Sequence, residues 1–203
     1  MVMDYSAEVW KDPEIVFACL AHDFGKPICW EKFENAHGHE VEGIPFIEDF
    51  CDRYKVPNSY RGLATQTCEY HTKVHGLFGR NNQSWTRPKS IMKLFEDTGA
   101  LKHPTRFKKM LKACEADAKG RGKEFHGNST KTIEYYLMQP YNQRPYLEEC
   151  LDVLLSLDTK DISARMVLDG KKGTLIGEAI RVAKIDNIRE VQNKWKKKLG
   201  INT

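Results

Sequence analysis

The chain has 203 residues, of which 40% are hydrophobic and 30% charged, with a formal net charge of +4 and a mean hydropathy of −0.59. This composition is ordinary for a globular protein, and no stretch approaches the ~18 apolar residues of a membrane span. The acidic N-terminus lacks a basic region followed by an apolar one, which excludes a secretory signal, so we expect a cytoplasmic protein. The six cysteines include no C-x-x-C pair, so we expect buried thiols rather than a zinc ribbon.

Helical periodicity dominates the chain. Asp12 and Pro13 are a helix start signal, and this first helix runs to the His22-Asp23 pair before Gly25 and Pro27 end it. Further helices are predicted over GHEVEGIPFIEDFCDRYKV (38–56), NSYRGLATQTCEYHTKVHGLF (58–78), RPKSIMKLFEDTG (87–99) and HPTRFKKMLKACEADAKGRG (103–122).

Beyond residue 127 the signals are weaker. Residues 129–138 and 145–157 have helical patterns, separated by the loop QPYNQRP. The stretch 175–200 predicts a long amphipathic helix that ends in a cluster of lysines. Because strand-like alternation is nearly absent, we expect one all-α domain with a C-terminal helical extension.

Histidines and aspartates recur at helix ends and on helix faces. The pair His22-Asp23 closes the first predicted helix, and His39 opens the next, two residues after His37. His71 and a histidine four residues later share one face of the third helix. Asp117 lies in an otherwise apolar, small-residue stretch. Helix ends and faces can bring such groups together at the centre of a bundle.

Mixed histidine and aspartate ligands suit Mn, Fe, Ni, Co, Zn or Mg. A divalent ion would activate water and bind a phosphoryl oxygen, and Lys26 could meet a phosphate charge. Each feature also has a purely structural interpretation: the His-Asp pair arises by chance, paired histidines occur in cores, and Asp117 could accept from Arg121 four residues on. The ordered combination HD-x-G-K, H-x-H-x-x-x-G, H-x-x-x-H and D-x-x-G-R favours a site.

That order of motifs resembles the HD phosphohydrolase superfamily and, more narrowly, the HD domain of bacterial CCA-adding enzymes (tRNA nucleotidyltransferases). The matching stretches include FACLAHDFGKP, HGHEVEG, EYHTKVH and CEADAKGRG. The similarity is strong over roughly residues 10–127 and weaker beyond. It implies an all-α HD-domain bundle with a core at 1–127 and a helical extension at 128–203 packed on it.

The resemblance also implies a metal-dependent phosphohydrolase acting on 2′,3′-cyclic or 2′-phosphates of nucleotides or RNA, with tRNA ends as a substrate. The implied cofactor is divalent Ni, Co, Mn or Mg. The residues at positions that match the family's metal ligands are His22, Asp23, His39, His71 and Asp117. The catalytic residues carried over are His22, Asp23, Lys26 and Arg121, the last two facing phosphate. His37 and His75 are expected either to support the ligands from behind or to be purely structural.

Two departures from the family pattern suggest an alternative. No Gly-Ser followed by Asp-x-Asp occurs in the sequence, so we expect the chain not to add CCA by itself. The further histidine that HD proteins usually carry on a preceding helix would fall just before Met1. With the C-terminal lysines, that departure motivates a second hypothesis, a non-catalytic tRNA-binding or partner module. Under a third hypothesis the histidines and aspartates are purely structural. The match of four motifs to the family would then be a coincidence.

Overall fold

The computed structural model describes residues 1–79, 82–122, 124–126 and 129–201. Its helices and strands, in chain order, are α1 (Val2–Trp10), α2 (Pro13–Ala21), α3 (Lys26–Phe33), α4 (His39–Glu42), α5 (Ile44–Tyr54), α6 (Asn58–His75), a 3-10 turn (Gly76–Phe78), α7 (Pro88–Asp97), α8 (Pro104–Lys119), β1 (Glu124–His126), β2 (Ser129–Lys131), α9 (Ile133–Met138), α10 (Gln143–Ser156), α11 (Thr159–Leu168) and α12 (Thr174–Lys198). The predicted all-α class is confirmed.

The predicted start of α2 is confirmed in detail. Asp12 has an extended backbone, its side chain accepts from the backbone N–H of Glu14 at 3.0 Å, and Pro13 opens the helix. The helix ends at Ala21, so His22 and Asp23 lie in the turn that follows it. Lys26 then begins α3, a helix that was not predicted, with Pro27 in its first turn.

The structure corrects several predicted boundaries. The helix predicted over 38–56 is two helices, α4 and α5, which meet at Gly43. The helix predicted over 129–138 begins only at Ile133, because Ser129–Lys131 pairs antiparallel with Glu124–His126. The side chain of Thr132 then caps α9 by accepting from a backbone N–H. Helices α1 and α11 were also missed.

The residues divide into two compact units, each built from two separated stretches of chain. The first comprises Met1–Leu77 and Thr105–Arg144. In it α2 packs against α1 and α6, and its apolar centre includes Ala21, Ile47, Cys51, Ala64 and Cys68. All six cysteines of the chain are buried and free, as predicted.

The second unit comprises Phe78–Pro104 and Pro145–Thr203. Helix α12 packs against α7 and α11, and the rings of Tyr146 and Trp195 lie 5.9 Å apart in its core. The buried side chain of Gln192 donates to the backbone oxygen of Thr86 at 2.8 Å. The predicted boundary after residue 127 coincides with no limit of either unit, and whether residues 1–127 form the functional core stays a prediction. Among the described helices none is long and apolar enough to cross a membrane.

We expect Asp12→Ala to lower the free energy of unfolding by about 1–2 kcal/mol, because it removes the cap of α2. The variant also removes an ion pair, since Asp12 Oδ2 lies 2.8 Å from Lys109 Nζ. Asp12→Asn keeps a capping oxygen and loses only the partly exposed ion pair, so it should cost less than about 1 kcal/mol. Urea unfolding measures both changes. Equal losses in the two variants would show that the cap is not the source of the stabilisation.

Candidate metal centre

The His22 imidazole is oriented by the helix that precedes it. Its Nδ1 lies 2.8 Å from the backbone oxygen of Cys19, one turn earlier in α2. This contact directs Nε2 inward, to 3.2 Å from Asp23 Oδ2 and 3.4 Å from Asp117 Oδ1. The turn after α2 and the end of α8 therefore supply carboxylates to the same imidazole.

Two further histidines, from other helices, approach the carboxylate of Asp23. His39, the first residue of α4, places Nδ1 2.7 Å from the backbone oxygen of Ala36 and Nε2 3.2 Å from Asp23 Oδ1. His71, in α6, places Nδ1 2.9 Å from the backbone oxygen of Cys68 and Nε2 3.7 Å from Asp23 Oδ1. The two Nε2 atoms are 3.1 Å apart.

The hydrogen bonds of these three histidines select a tautomer. A carbonyl oxygen only accepts, so each Nδ1 carries the proton and donates it to the backbone. When such a ring gives up its second proton to bind a metal ion, the lone pair of Nε2 faces the centre of the cluster, which is the arrangement that outer hydrogen bonds impose on metal-binding histidines. Two overlapping groups, His22–His71–Asp117 and Asp23–His39–His71, bring their potential ligand atoms within 4.8 Å of one another.

Two glycines bring the turn after α2 and α4 into direct backbone contact. A Cβ atom on Gly25 would lie 2.1 Å from the backbone oxygen of His39 and 2.7 Å from the backbone nitrogen of Gly43. A Cβ on Gly43 would lie 2.8 Å from Cys68 Sγ. Only hydrogen at these two positions permits the approach that places Asp23 beside His39.

The electrostatics of the cluster keep its carboxylates charged. Burial opposes ionisation of Asp117, but hydrogen bonding and charge from His22 and His75 outweigh it and lower the pKa of that carboxyl. Burial opposes protonation of His22, yet Asp117 and Asp23 outweigh it and raise the pKa of its imidazole. Burial lowers the pKa of His71, and the neighbouring His22 adds to the effect. The carboxylates of Asp23 and Asp117 therefore stay negatively charged and favour a cation beside them.

The donor set fits a divalent metal ion. His22 Nε2 and Asp23 Oδ1 are buried and have no hydrogen-bond partner of good geometry within the described ranges, although both face the cluster. Leaving such a polar atom unsatisfied costs about 1–3 kcal/mol, which a shared cation would remove. Imidazole nitrogen together with carboxylate oxygen suits first-row divalent ions such as Mn, Co, Ni and Zn.

The two other residues predicted to take part in catalysis, Lys26 and Arg121, have different surroundings. Lys26 Nζ lies 2.6 Å from Asp23 Oδ2 with its side chain half exposed, so this cation borders the cluster. Arg121 is exposed, and its guanidinium lies 5.9 Å from the ring centroid of Tyr136. The structure therefore brings Lys26 to the cluster, whereas the contact described for Arg121 is with an aromatic ring.

Sequence reasoning gave His75 either a supporting role behind the ligands or a structural one, and it missed Tyr141 altogether. His75 Nε2 lies 2.8 Å from Asp117 Oδ2, and Tyr141 Oη lies 3.0 Å from His75 Nδ1. The i, i+4 spacing from His71 was a signal for His75. For Tyr141, in the loop between α9 and α10, the sequence carried no comparable signal.

The fold and the cluster define a class: an all-α protein in which three histidines and two aspartates from separate helices and turns converge on a candidate divalent-metal centre. Three curated relatives are named Multifunctional CCA protein. The chain is 32% identical over 191 residues to the one from Teredinibacter turnerae, 33% over 200 residues to the one from Legionella pneumophila, and 30% over 196 residues to the one from Thioalkalivibrio sulfidiphilus.

These alignments cover 93%, 97% and 96% of this chain but only 41%, 42% and 42% of the respective relatives. The chain thus spans about two fifths of the length of the proteins it matches. No family model and no solved structure matches it. The resemblance predicted from the motifs is confirmed: the chain is homologous to a segment of the multifunctional CCA proteins.

Proposed function

We propose that the chain is a divalent-metal-dependent phosphohydrolase that acts on 2′,3′-cyclic or 2′-phosphates of nucleotides or of RNA, with tRNA ends as the substrate class. The observation that carries this proposal is the cluster in which three imidazole Nε2 atoms and two carboxylates converge. The proposed ligands are His22, Asp23, His39, His71 and Asp117. The proposed cofactor is Ni, Co, Mn or Mg.

A divalent ion in this cluster would supply Lewis-acid assistance to phosphoester hydrolysis. The protein's own contribution is to hold the donors in a fixed arrangement, since each imidazole is anchored to backbone through Nδ1. Lys26 stands at the exposed edge of the cluster, where its ammonium can bind a phosphate oxygen while remaining close to Asp23. The proposed role of Arg121 in binding phosphate requires its exposed side chain to turn from Tyr136 toward the cluster.

The homology supports RNA as the substrate. The relatives are named for the CCA sequence, and we propose that this chain shares their involvement with tRNA ends. A phosphohydrolase acting there would meet the cyclic and terminal phosphates of RNA.

The test is hydrolysis of 2′,3′-cyclic AMP by the full chain before and after removal of metal. We expect chelation and dialysis to abolish turnover, and resupply of Ni²⁺, Co²⁺, Mn²⁺ or Mg²⁺ to restore it, because the cluster supplies donors but no electrophile of its own. Product release is followed by chromatography at saturating substrate. Turnover that survives complete metal removal would contradict the proposal, as would a chain that binds none of the four ions.

A non-catalytic tRNA-binding module is the second candidate. Its supporting observation is the run Lys196, Lys197 and Lys198 in the last turn of α12. Such a module would bind tRNA with an affinity that falls steeply as salt rises, because phosphate contacts release counterions. Binding that is unchanged in His22→Ala, in a chain without metal-dependent turnover, would favour this second function.

A further inference from the structure

The Asp117 carboxylate is held on both sides. Its Oδ1 faces His22 Nε2 at 3.4 Å, within the cluster, and its Oδ2 lies 2.8 Å from Nε2 of His75, whose ring meets that of His71 edge to face. The side chain is only 16% exposed. One oxygen is therefore free to bind a metal ion while the other is occupied by a neighbouring imidazole.

The hydrogen bonds of His75 form a chain with a definite direction. A carboxylate only accepts, so His75 Nε2 carries the proton that reaches Asp117. In the neutral ring Nδ1 is then an acceptor, and Tyr141 donates its hydroxyl proton to it at 3.0 Å. Burial raises the pKa of Tyr141 well above its usual value, so the phenol remains a donor.

The backbone of α6 is tied to the same loop. The side-chain amide of Gln143 donates to the backbone oxygen of His75 at 3.3 Å, and the rings of His75 and Tyr141 meet edge to face with centroids 5.7 Å apart. Residues 141–143 thus fix both the ring and the main chain of His75. All of these residues belong to the first compact unit.

We propose that His75 and Tyr141 are positioning residues that hold Asp117 in the orientation required for metal binding, a role that rests on the proposed function of the cluster. Partners of this kind fix the geometry of a ligand and raise its basicity, and their loss typically weakens metal binding by about 10–100-fold. Neither residue touches the substrate in this scheme. Both act on the metal through the Asp117 carboxylate.

The experiment is a Co²⁺ titration of the full chain, stripped of metal and followed by visible absorption, which reports both affinity and ligand geometry. We expect His75→Leu to weaken Co²⁺ binding by about 10–100-fold and to change the absorption band. His75→Gln should recover part of the affinity, because its amide N–H can still donate to Asp117. Tyr141→Phe should fall between wild type and His75→Leu.

Tyr135→Phe is the matched control, since this exposed tyrosine of α9 lies outside the chain of hydrogen bonds to Asp117, and it should bind Co²⁺ as wild type does. Far-UV circular dichroism of each metal-free variant confirms that it is folded. Wild-type affinity and spectrum in both Tyr141→Phe and His75→Leu would overturn the positioning role and leave the proposed function intact. A wild-type chain that binds no Co²⁺ would overturn both.

Discussion

Replacing Asp23 by alanine is expected to lower kcat/KM for 2′,3′-cyclic AMP by about a thousandfold or more, since a bound metal contributes several kcal/mol of transition-state stabilisation. The loss should be this large because Asp23 contacts four groups of the site. Its Oδ2 lies near His22 and Lys26, and its Oδ1 lies near His39 and His71. Without the carboxylate, Asp117 still faces His22 Nε2, and the anionic neighbour left to His39 is Glu40, 3.4 Å from its Nδ1.

Steady-state kinetics at saturating metal, beside a Co²⁺ titration, measures the effect. Asp23→Asn separates charge from shape, and we expect it to be nearly as damaging, because an amide keeps one oxygen but loses the negative charge. Asp49→Ala is the matched control, since this carboxylate is 71% exposed on α5 and its described ion pair is a 3.7 Å contact with Arg53. Turnover within tenfold of wild type in Asp23→Ala would rule out the His-Asp turn as the active site.

Gly25→Ala is expected to lower the free energy of unfolding by about 3 kcal/mol, at the upper end of the usual cost of overpacking. Its backbone, at φ −76°, is in the ordinary right-handed region, so alanine brings no conformational strain there. The damage comes from the new Cβ, which would lie 2.1 Å from the backbone oxygen of His39. Backbone cannot rotate away as a side chain can, so α4 must move and carry His39 with it.

Gly76→Ala is the matched control for this effect. Gly76 also has a right-handed backbone, at φ −75°, and a Cβ there meets nothing within 4 Å. Gly76→Ala should leave the free energy of unfolding unchanged or raise it by about 0.4–1 kcal/mol, because alanine restricts the unfolded chain more than glycine does. Urea unfolding gives both values, and a Co²⁺ titration should show weaker binding in Gly25→Ala alone. Equal stability in the two variants would contradict a direct contact between the turn and α4.

The local signals in the sequence were sufficient for most of the helices and for part of the cluster. Capping residues and prolines mark the starts of α2, α7 and α8, because those signals act through neighbours in the chain. Gly99, with φ +61°, follows α7 as predicted. The structure gathers His22, Asp23, His39, His71 and Asp117, the set carried over from the resemblance, although their role as ligands stays a prediction.

What the sequence could not predict depends on contacts between distant segments. The close approach of Gly25 to His39 and Gly43 is not encoded in periodicity. The break between α4 and α5 does have a local signal, because Pro45, in the first turn of α5, has no backbone N–H to continue α4. The strand pairing of Ser129–Lys131 replaces helix because its hydrogen bonds come from Glu124–His126. Tyr141 could not be found, since a loop residue has no periodic pattern that would show which side chain it meets.

The path of the chain through the two compact units also restricts how such a protein can change in evolution. Each unit combines two stretches that are far apart in the sequence, and the second stretch of the first unit, Thr105–Arg144, lies between the two stretches of the second. A single genetic crossover between residues 78 and 144 would split at least one unit, because part of that unit would then come from a different parent gene. Exchange of either unit as an intact module therefore requires three crossovers, one at each boundary between the alternating stretches, after residues 77, 104 and 144. A single crossover between α6 and the loop that carries Tyr141 would separate that tyrosine from the histidines of α6.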